Sequence, residues 1–432
     1  MRLFPAATLA TVALATLATP AAAQSLDETM AAAIGHSPEL AAARARERAA
    51  QGRVNGARAE HMPSLTAQGE VGVGRLDPKG YFGLTADDVT PRAASATVEL
   101  PLLTFGRIGS GLNQAKAGRE AARLGVRAAL LKLRIDVVSA YSDALKADEQ
   151  LASYGKLAQT LDEQVRHAKL RFKVGGGTSV EVAQAEARAA EAQAGLAMAR
   201  GAKAGAVTRL RALTGKDITP VDEFPGLPVV PISADQASEQ ALRANPQLQQ
   251  AEAMVKAAKA GVSGARAERF PTVGAYAEAS TVRDKFFPGY KADEASVGLR
   301  ARWTLFDGGR TSARVTTAEA QLDEAQANAD AARYAVEQQA VQGFSGLETA
   351  RAMLKAAQAR VRATEEALRG TRLEVQTGAK PQLALLDAER EAIAARTARI
   401  EAQGQVLTAA YTLRAITGAE DQAAWSNANL ND

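Results

Sequence analysis

The chain has 432 residues, is 47% hydrophobic but only 4% aromatic, and contains no cysteine. Abundant Ala, Gln, Glu and Arg with so few aromatic residues favour long helices packed through small side chains over large globular cores. The 52 basic and 48 acidic residues nearly balance and are interspersed, which argues against a nucleic-acid-binding protein. The lack of cysteine excludes a disulfide framework, and the three dispersed histidines lack the spacing of metal ligands.

The N-terminus has the pattern of a secretory signal peptide. A basic start at Met1-Arg2 precedes a short apolar run, and an Ala-x-Ala site stands directly before Gln24. We therefore expect 1–23 to be removed on export. No later run of 18 apolar residues follows, so we expect no transmembrane helix in the mature chain.

Two nearly identical octets mark an internal duplication. "GARAEHMP" begins at Gly56 and "GARAERFP" at Gly264, a separation of 208 residues. Further along, "FGR" at Phe105 matches "GGR" at Gly308 with a separation of 203 residues, so a loop of different length should lie in between. A duplication of this length indicates two copies of one architecture. The predicted parts are a first repeat at 24–215, a Pro-rich linker at 216–233, a second repeat at 234–418 and a C-terminal tail at 419–432.

Each repeat is predicted to contain a helix, a β-hairpin, a long helix and a second helix. Proline ends the first helix of each repeat, and glycines break the chain between the last two helices. In the first repeat these elements are expected at 38–62, 63–105, 106–174 and 178–213. In the second repeat they are expected at 246–270, 271–306, 308–376 and 380–416.

The hairpins alternate strictly between apolar and polar residues. Leu65, Ala67 and Val98 fall on one side of their strands, whereas Glu70 and Glu99 fall on the other. Alternation over about 10 residues is typical of a membrane β-strand with its apolar side toward lipid. A soluble hairpin with one face on a core has the same pattern. Aromatic clusters in the turns, Tyr81-Phe82 and Phe286-Phe287-Tyr290, fit either a membrane-interface girdle or a packed loop.

The helices should form columns. The long helix of 67 residues would measure about 100 Å, and its last part has apolar residues at heptad spacing from Leu151 to Phe172. The two shorter helices of a repeat have nearly the same summed length, so they could stack end to end beside it.

The strands require assembly if they enter a membrane. Four strands per chain are too few for a closed barrel, and an open sheet edge cannot face lipid because its N–H and C=O groups would be unpaired. The fold class expected is mainly α with a membrane β-barrel, in which several copies of the chain share their strands.

The order of these features resembles the TolC-type outer-membrane efflux proteins over essentially the whole mature chain. The resemblance rests on the tandem repeats, on "NP-x-L" at Asn245, on "F-x-x-G-R" at Phe306, and on "LTG" at Leu213. The helix-turn patterns "VGGGTSVEVAQAEA" and "QTGAKPQLALLDAE" complete it. The resemblance implies a homotrimer with a 12-stranded barrel in the outer membrane and a helical coiled-coil barrel in the periplasm.

The resemblance also implies partners and sites. An inner-membrane transporter of the RND or ABC type and a periplasmic adaptor protein would dock at the helix turns. Asp387 and Glu181 fall on acidic gate positions, while Ala384 stands where the family pattern has a further carboxylate. The residues implied in adaptor contact are Leu170, Arg171, Val174, Gly175, Leu373, Val375, Thr377 and Gly378.

Alternative interpretations remain at this stage. A periplasmic coiled-coil scaffold with small soluble hairpins competes with the channel. Within the channel class, export of drugs or other small molecules competes with type I protein secretion. An enzyme is disfavoured, because the sequence has no phosphate-binding loop, no G-x-S-x-G motif and no separate carboxylate pair, and we expect no cofactor and no catalytic residue.

Overall fold

The computed structural model describes residues 24–77, 87–220 and 223–418. The expected signal peptide 1–23, the aromatic pair Tyr81-Phe82 and the tail 419–432 lie outside the described residues. Eight helices and six strands are assigned within the described ranges. The first repeat contains α1 (Leu26–His36), α2 (Pro38–Ala59), β1 (Ser64–Val71), β2 (Gly74–Leu76), β3 (Asp87–Val89), β4 (Arg92–Leu103), α3 (Arg107–Lys173) and α4 (Ser179–Thr214). The second contains α5 (Ala234–Ala244), α6 (Pro246–Ala267), β5 (Thr272–Arg283), β6 (Lys291–Arg302), α7 (Arg310–Gln376) and α8 (Gln382–Ile416).

The chain divides into two compact units. Among the described residues, one unit takes 24–37 together with Leu133–Pro228 and Leu347–Tyr411. The other takes Pro38–Lys132, Val229–Gly346 and 412–418. The first unit is helical, and the second contains all of the strands together with α2, α5 and α6.

Four strands form one antiparallel sheet in the order β1-β4-β5-β6. The register places side chains in rows that cross all four strands. One row is apolar and consists of Leu65, Val98, Ala277 and Val297, and the adjacent row is polar and consists of Thr66, Thr97, Glu278 and Ser296. Because neighbouring rows point to opposite faces, the sheet has one apolar and one polar face. Leu65 is 72% exposed and Val297 is 83% exposed, so a single chain leaves the apolar face uncovered.

The two hairpins differ in the turn region. β5 and β6 are joined directly by residues 284–290, where Tyr290 packs edge-on against Phe286 and Phe287 with ring centroids 5.0 and 5.2 Å apart. In the first hairpin the short strands β2 and β3 extend the antiparallel pairing beyond β1 and β4. The sequence pattern predicts a turn region over 77–91 between the two strands of this hairpin, and this prediction was wrong at Asp87–Val89, where three residues form a strand.

Two short helices were not predicted as separate elements. α1 has a capping box between Ser25 and Glu28 at its start, and α5 is capped by Ser233, whose side chain accepts from the backbone N–H of Gln236. One residue separates each short helix from the next, Ser37 before Pro38 and Asn245 before Pro246. Proline is tolerated in the first turn of a helix but not inside one, so each proline marks a helix start and ends the helix before it.

The helical unit packs through small residues. Ala158 and Leu161 of α3, Ala189 and Ala192 of α4, and Leu386 of α8 form one buried cluster. Alanine lets helix axes approach closely, which explains the low aromatic content. Of the heptad residues predicted on α3, Ala158 and Leu161 are buried, but Phe172 near the end of the helix is 51% exposed. Among the described residues no helix is both long and apolar enough to cross a membrane.

Motifs far apart in sequence meet in the second unit. The side chain of Asn245 accepts from the backbone N–H groups of Gln247 and Leu248 at the start of α6, and its Nδ2 donates to the backbone oxygen of Ile416 at 2.9 Å. The "NP-x-L" motif and the "ITG" motif at 416–418, which matches "LTG" at Leu213 in the first repeat, are therefore joined by one buried amide. This bond fixes the end of α8 against the start of α6.

Candidate functional site

The α3–α4 and α7–α8 turns have the same backbone geometry. The N–H of Gly176 donates to the oxygen of Arg171 at 2.8 Å, and the N–H of Ala379 donates to the oxygen of Glu374 at 2.7 Å. Gly175 and Gly378 adopt φ values of +74° and +78° in these turns. Bonds that reach back over five residues from a left-handed glycine form the Schellman ending of a helix, so both long helices stop in the same way.

The predicted adaptor residues surround these turns. Leu170, Val174 and Leu373 are 61%, 79% and 64% exposed. Arg171 is exposed and donates to the oxygen of Gly176, Val375 is half-buried, and Thr377 donates to the oxygen of Leu373 at 3.1 Å. Exposed apolar side chains on a rigid turn form a surface that another protein can cover.

Glu181 lies in the first turn of α4. Thr178 caps this helix and accepts from the backbone N–H of Glu181. An acidic residue is favourable in the first turn because the N-terminal end of the helix dipole is positive. The Glu181 side chain also lines a cavity of about 590 Å³ together with His167 and with Leu383 of α8. Glu181 is therefore placed beside the beginning of α8, but Asp387 does not line this cavity.

Asp387 is paired with a residue that the sequence analysis missed. Arg188 of α4 donates from Nη2 to Oδ1 of Asp387 at 3.2 Å and from Nη1 to Oε2 of Glu191 at 3.1 Å. Arg390 of α8 approaches the other oxygen of Glu191 at 3.4 Å. The Asp387 carboxylate, which the resemblance assigns to the gate together with Glu181, thus belongs to a group of two cations and two anions. Ala384, one turn before it on α8, is half-buried.

A second acidic residue near this site is Glu389. It is only 7% exposed, its Oε1 lies 3.5 Å from Nη2 of Arg372, and its Oε2 has no hydrogen-bond partner among the described residues. Burial raises the pKa of Glu389 above its ordinary value, and the nearby guanidinium of Arg372 opposes this only in part. A glutamate in a helix with many charged residues is expected to be exposed to solvent. The sequence therefore contained no indication that Glu389 is buried.

The polar face of the sheet carries a second charged group. Arg300 of β6 donates to Glu99 of β4 at 2.8 Å, lies 3.9 Å from Glu278, and stacks over the ring of Tyr276 at 4.4 Å. Tyr276 is directly opposite Gly298, where a side chain would come within 3.1 Å of the ring. The glycine therefore leaves room for the ring and the guanidinium, and this face is suited to contact with water rather than lipid.

Metal binding has no support in these contacts. Within the ranges 24–77, 87–220 and 223–418, no group of three or more histidine, aspartate or glutamate side chains is arranged to hold a metal ion.

The chain is similar in sequence to known outer membrane efflux and secretion proteins. The family model for outer membrane efflux proteins matches residues 30–216 and 237–419. The outer membrane efflux protein BepC of Brucella suis is 32% identical over 65% of this chain, and the match spans 62% of the length of BepC. The alkaline protease secretion protein AprF of Pseudomonas aeruginosa is 26% identical over 78% of this chain and 71% of its own length.

A solved structure shows the same fold. The outer membrane channel CmeC of Campylobacter jejuni superposes with a TM-score of 0.82 at 16% identity, covering 93% of this chain and 88% of its own. At that identity the superposition speaks for the fold, and the family follows from the two matched segments, which coincide with the two halves of the duplication. The chain therefore belongs to the outer membrane efflux protein family.

Proposed function

We propose that three copies of this chain form one outer-membrane channel that serves as the passive exit duct of an efflux or secretion complex. The observation that carries this proposal is the four-stranded sheet with one apolar face, one polar face and two unpaired edges, β1 and β6. In lipid, those edges must be paired. Pairing β6 of each copy with β1 of the next closes a barrel, and three copies give 12 strands.

The polar face then lines a water-filled lumen. Glu99, Arg300 and Glu278 lie on this face, and Leu65 and Val297 lie on the opposite face toward lipid. Charged side chains are tolerated in the lumen of a barrel but are costly toward lipid. This orientation supports a channel rather than a soluble hairpin.

The helix turns are the proposed docking site for a periplasmic adaptor. Leu170, Val174 and Leu373 are apolar and exposed, and Gly175 and Gly378 allow a partner helix to approach the backbone. The adaptor would connect the channel to an inner-membrane transporter of the RND or ABC type. Such a duct moves its cargo without chemical change, so we propose no catalytic residue and no cofactor.

The gate is proposed to lie near the same end of the helices. Glu181 and Asp387 are the acidic residues assigned to it. Glu181 lines a cavity together with Leu386 of α8, and Asp387 is the residue that follows Leu386. In a trimer each residue occurs three times around the axis, so its charge acts on every ion that passes.

The cargo of such a duct would be selected by the inner-membrane transporter. BepC is described as an efflux protein and AprF as a protease secretion protein, and this chain is similar to both. We propose small-molecule efflux and type I protein secretion as the two uses compatible with the duct.

Fractionation and conductance test the proposal together. The chain, expressed from Met1, should sediment with outer membranes, require detergent for extraction and form ion-conducting pores in planar lipid bilayers. Recovery as a water-soluble periplasmic protein without pore activity would instead identify a coiled-coil scaffold.

A further inference from the structure

The ion pair between Asp387 and Arg188 changes the net charge that passing ions meet at the proposed gate. Arg188 contacts both Asp387 and Glu191, at 3.2 and 3.1 Å, and Arg390 contacts Glu191 at 3.4 Å. The four side chains alternate in sign along a chain of contacts between α4 and α8. Their formal charges sum to zero, so the group differs from an isolated carboxylate.

Arg188 has the least exposed side chain of the four residues in this group. Its side chain is 31% exposed, compared with 57% for Asp387 and 61% for Arg390. The next residue, Ala189, and Ala192 are buried against Leu386, which precedes Asp387 on α8. This packing fixes the distance between the two helices, so the guanidinium needs little further ordering to reach the carboxylate.

A paired carboxylate attracts passing ions less than a free one. The field of a single charge extends over about 8–10 Å at physiological ionic strength, whereas the fields of opposite charges about 3 Å apart largely cancel beyond their own contact distance. The guanidinium also occupies Oδ1 of Asp387 and repels a divalent cation that approaches the other oxygen.

From this geometry we propose that Arg188 is a selectivity-determining residue of the channel, because it neutralises Asp387. The channel accordingly has a weak preference for cations and is resistant to block by divalent cations at this level. This inference rests on the proposed trimeric channel.

The test is the reversal potential of the purified trimer in planar bilayers across a KCl gradient, with and without MgCl2. Arg188→Gln should raise the K⁺ to Cl⁻ permeability ratio by roughly threefold or more and introduce block by Mg²⁺. Asp387→Asn should shift the ratio toward Cl⁻, because Arg188 is then left without this partner. The double variant should return close to the wild-type ratio.

Two control variants make the outcome specific. Arg200→Gln removes the same formal charge from an exposed position on α4, 12 residues from Arg188 and about 18 Å along the helix, and should leave the ratio unchanged. Arg188→Lys keeps the charge and should retain most of the wild-type selectivity.

The inference is overturned if Arg188→Gln conducts with wild-type selectivity or behaves like Arg200→Gln. If Arg188→Gln does not assemble, Asp387→Asn decides, and wild-type selectivity in that variant overturns the inference. Absence of pores in the wild-type protein would instead remove the proposed function itself.

Discussion

At the scale of single residues, Glu389 combines burial with incomplete hydrogen bonding. One of its oxygens has no partner among the described residues, and Arg372 lies near the limit of ion-pair contact at 3.5 Å. An ionised carboxylate in this position loses hydration that its neighbours do not fully replace. The residue therefore destabilises the helical unit when it is charged.

This cost gives a direction for the pH dependence. The pKa of Glu389 is raised by burial, so the folded protein binds a proton there more tightly than the unfolded chain. Stability should fall as the pH rises from the unfolded pKa through the raised folded pKa, and should be regained as the pH falls. Glu389→Gln should raise the thermal unfolding midpoint at pH 7.5 and remove this part of the pH dependence, as measured by circular dichroism in detergent.

A matched control is available two residues further along α8. Glu391 is 55% exposed in its ion pair with Arg360, so Glu391→Gln should change the midpoint little at any pH. A lower midpoint for Glu389→Gln than for wild type at pH 7.5 would show that the pair with Arg372 outweighs the burial of the charge.

At the scale of secondary-structure elements, the repeated "LTG" and "ITG" motifs end the last helix of each repeat. Gly215 and Gly418 have φ values of +69° and +66°. A Cβ on Gly215 would lie 2.6 Å from the ring of His36, and a Cβ on Gly418 would lie 2.4 Å from the backbone oxygen of Ala244. In both repeats, glycine thus allows the left-handed turn and a close contact with the short helix of that repeat, α1 or α5.

Gly418→Ala should therefore destabilise the second unit. The left-handed conformation alone costs about 1–2 kcal/mol for a residue with a Cβ, and the contact with Ala244 is to backbone, which cannot rotate away. We expect a clearly lower unfolding midpoint. Gly346→Ala in the interior of α7, where no described atom lies within 4 Å of a new Cβ, should not lower it. Equal midpoints for the two variants would contradict this account of the helix ending.

The sequence predicted most of the elements for physical reasons that act locally. Strict alternation requires strands with two different faces, and the rows through Leu65 and Thr66 in the structure have this character, which confirms the predicted strands. The fold class as a whole is confirmed by the superposition on CmeC. Glycine and proline mark the helix ends because their backbone limits do not depend on tertiary contacts. The helix start at Pro246 was predicted, but the short helix α5 before it was not.

The contacts of the candidate site were not predictable in this way. Arg188 and Asp387 are 199 residues apart, and their contact depends on how α4 lies along α8. That alignment is set by the packing of alanines. Because alanines occur all along both helices, the sequence is compatible with many alternative alignments of α4 and α8. The assignments of Glu181, Asp387 and the adaptor residues remain predictions.

At the scale of the whole molecule, the proposed channel requires that several copies of the chain join through their strands. β1 and β6 are edge strands, separated within one chain by β4 and β5. Their separation is about 14 Å at the usual spacing between strands, which is too far for a disulfide, since its Cα atoms must lie within about 7 Å. A disulfide between β1 and β6 can therefore form only between two chains.

The most direct measurement is oxidative cross-linking in intact outer membranes, because the chain has no native cysteine. One cysteine is placed between Leu65 and Gly69 of β1 and one between Glu294 and Gly298 of β6, and a set of such pairs covers the possible registers. Control pairs combine the same β1 positions with β5, which is covered on both sides by β4 and β6. We predict covalent dimers and trimers for some β1–β6 pairs, with nothing larger than a trimer, and no product for the control pairs. A chain that stays monomeric across the whole set, or a ladder that continues beyond three copies, would contradict the account.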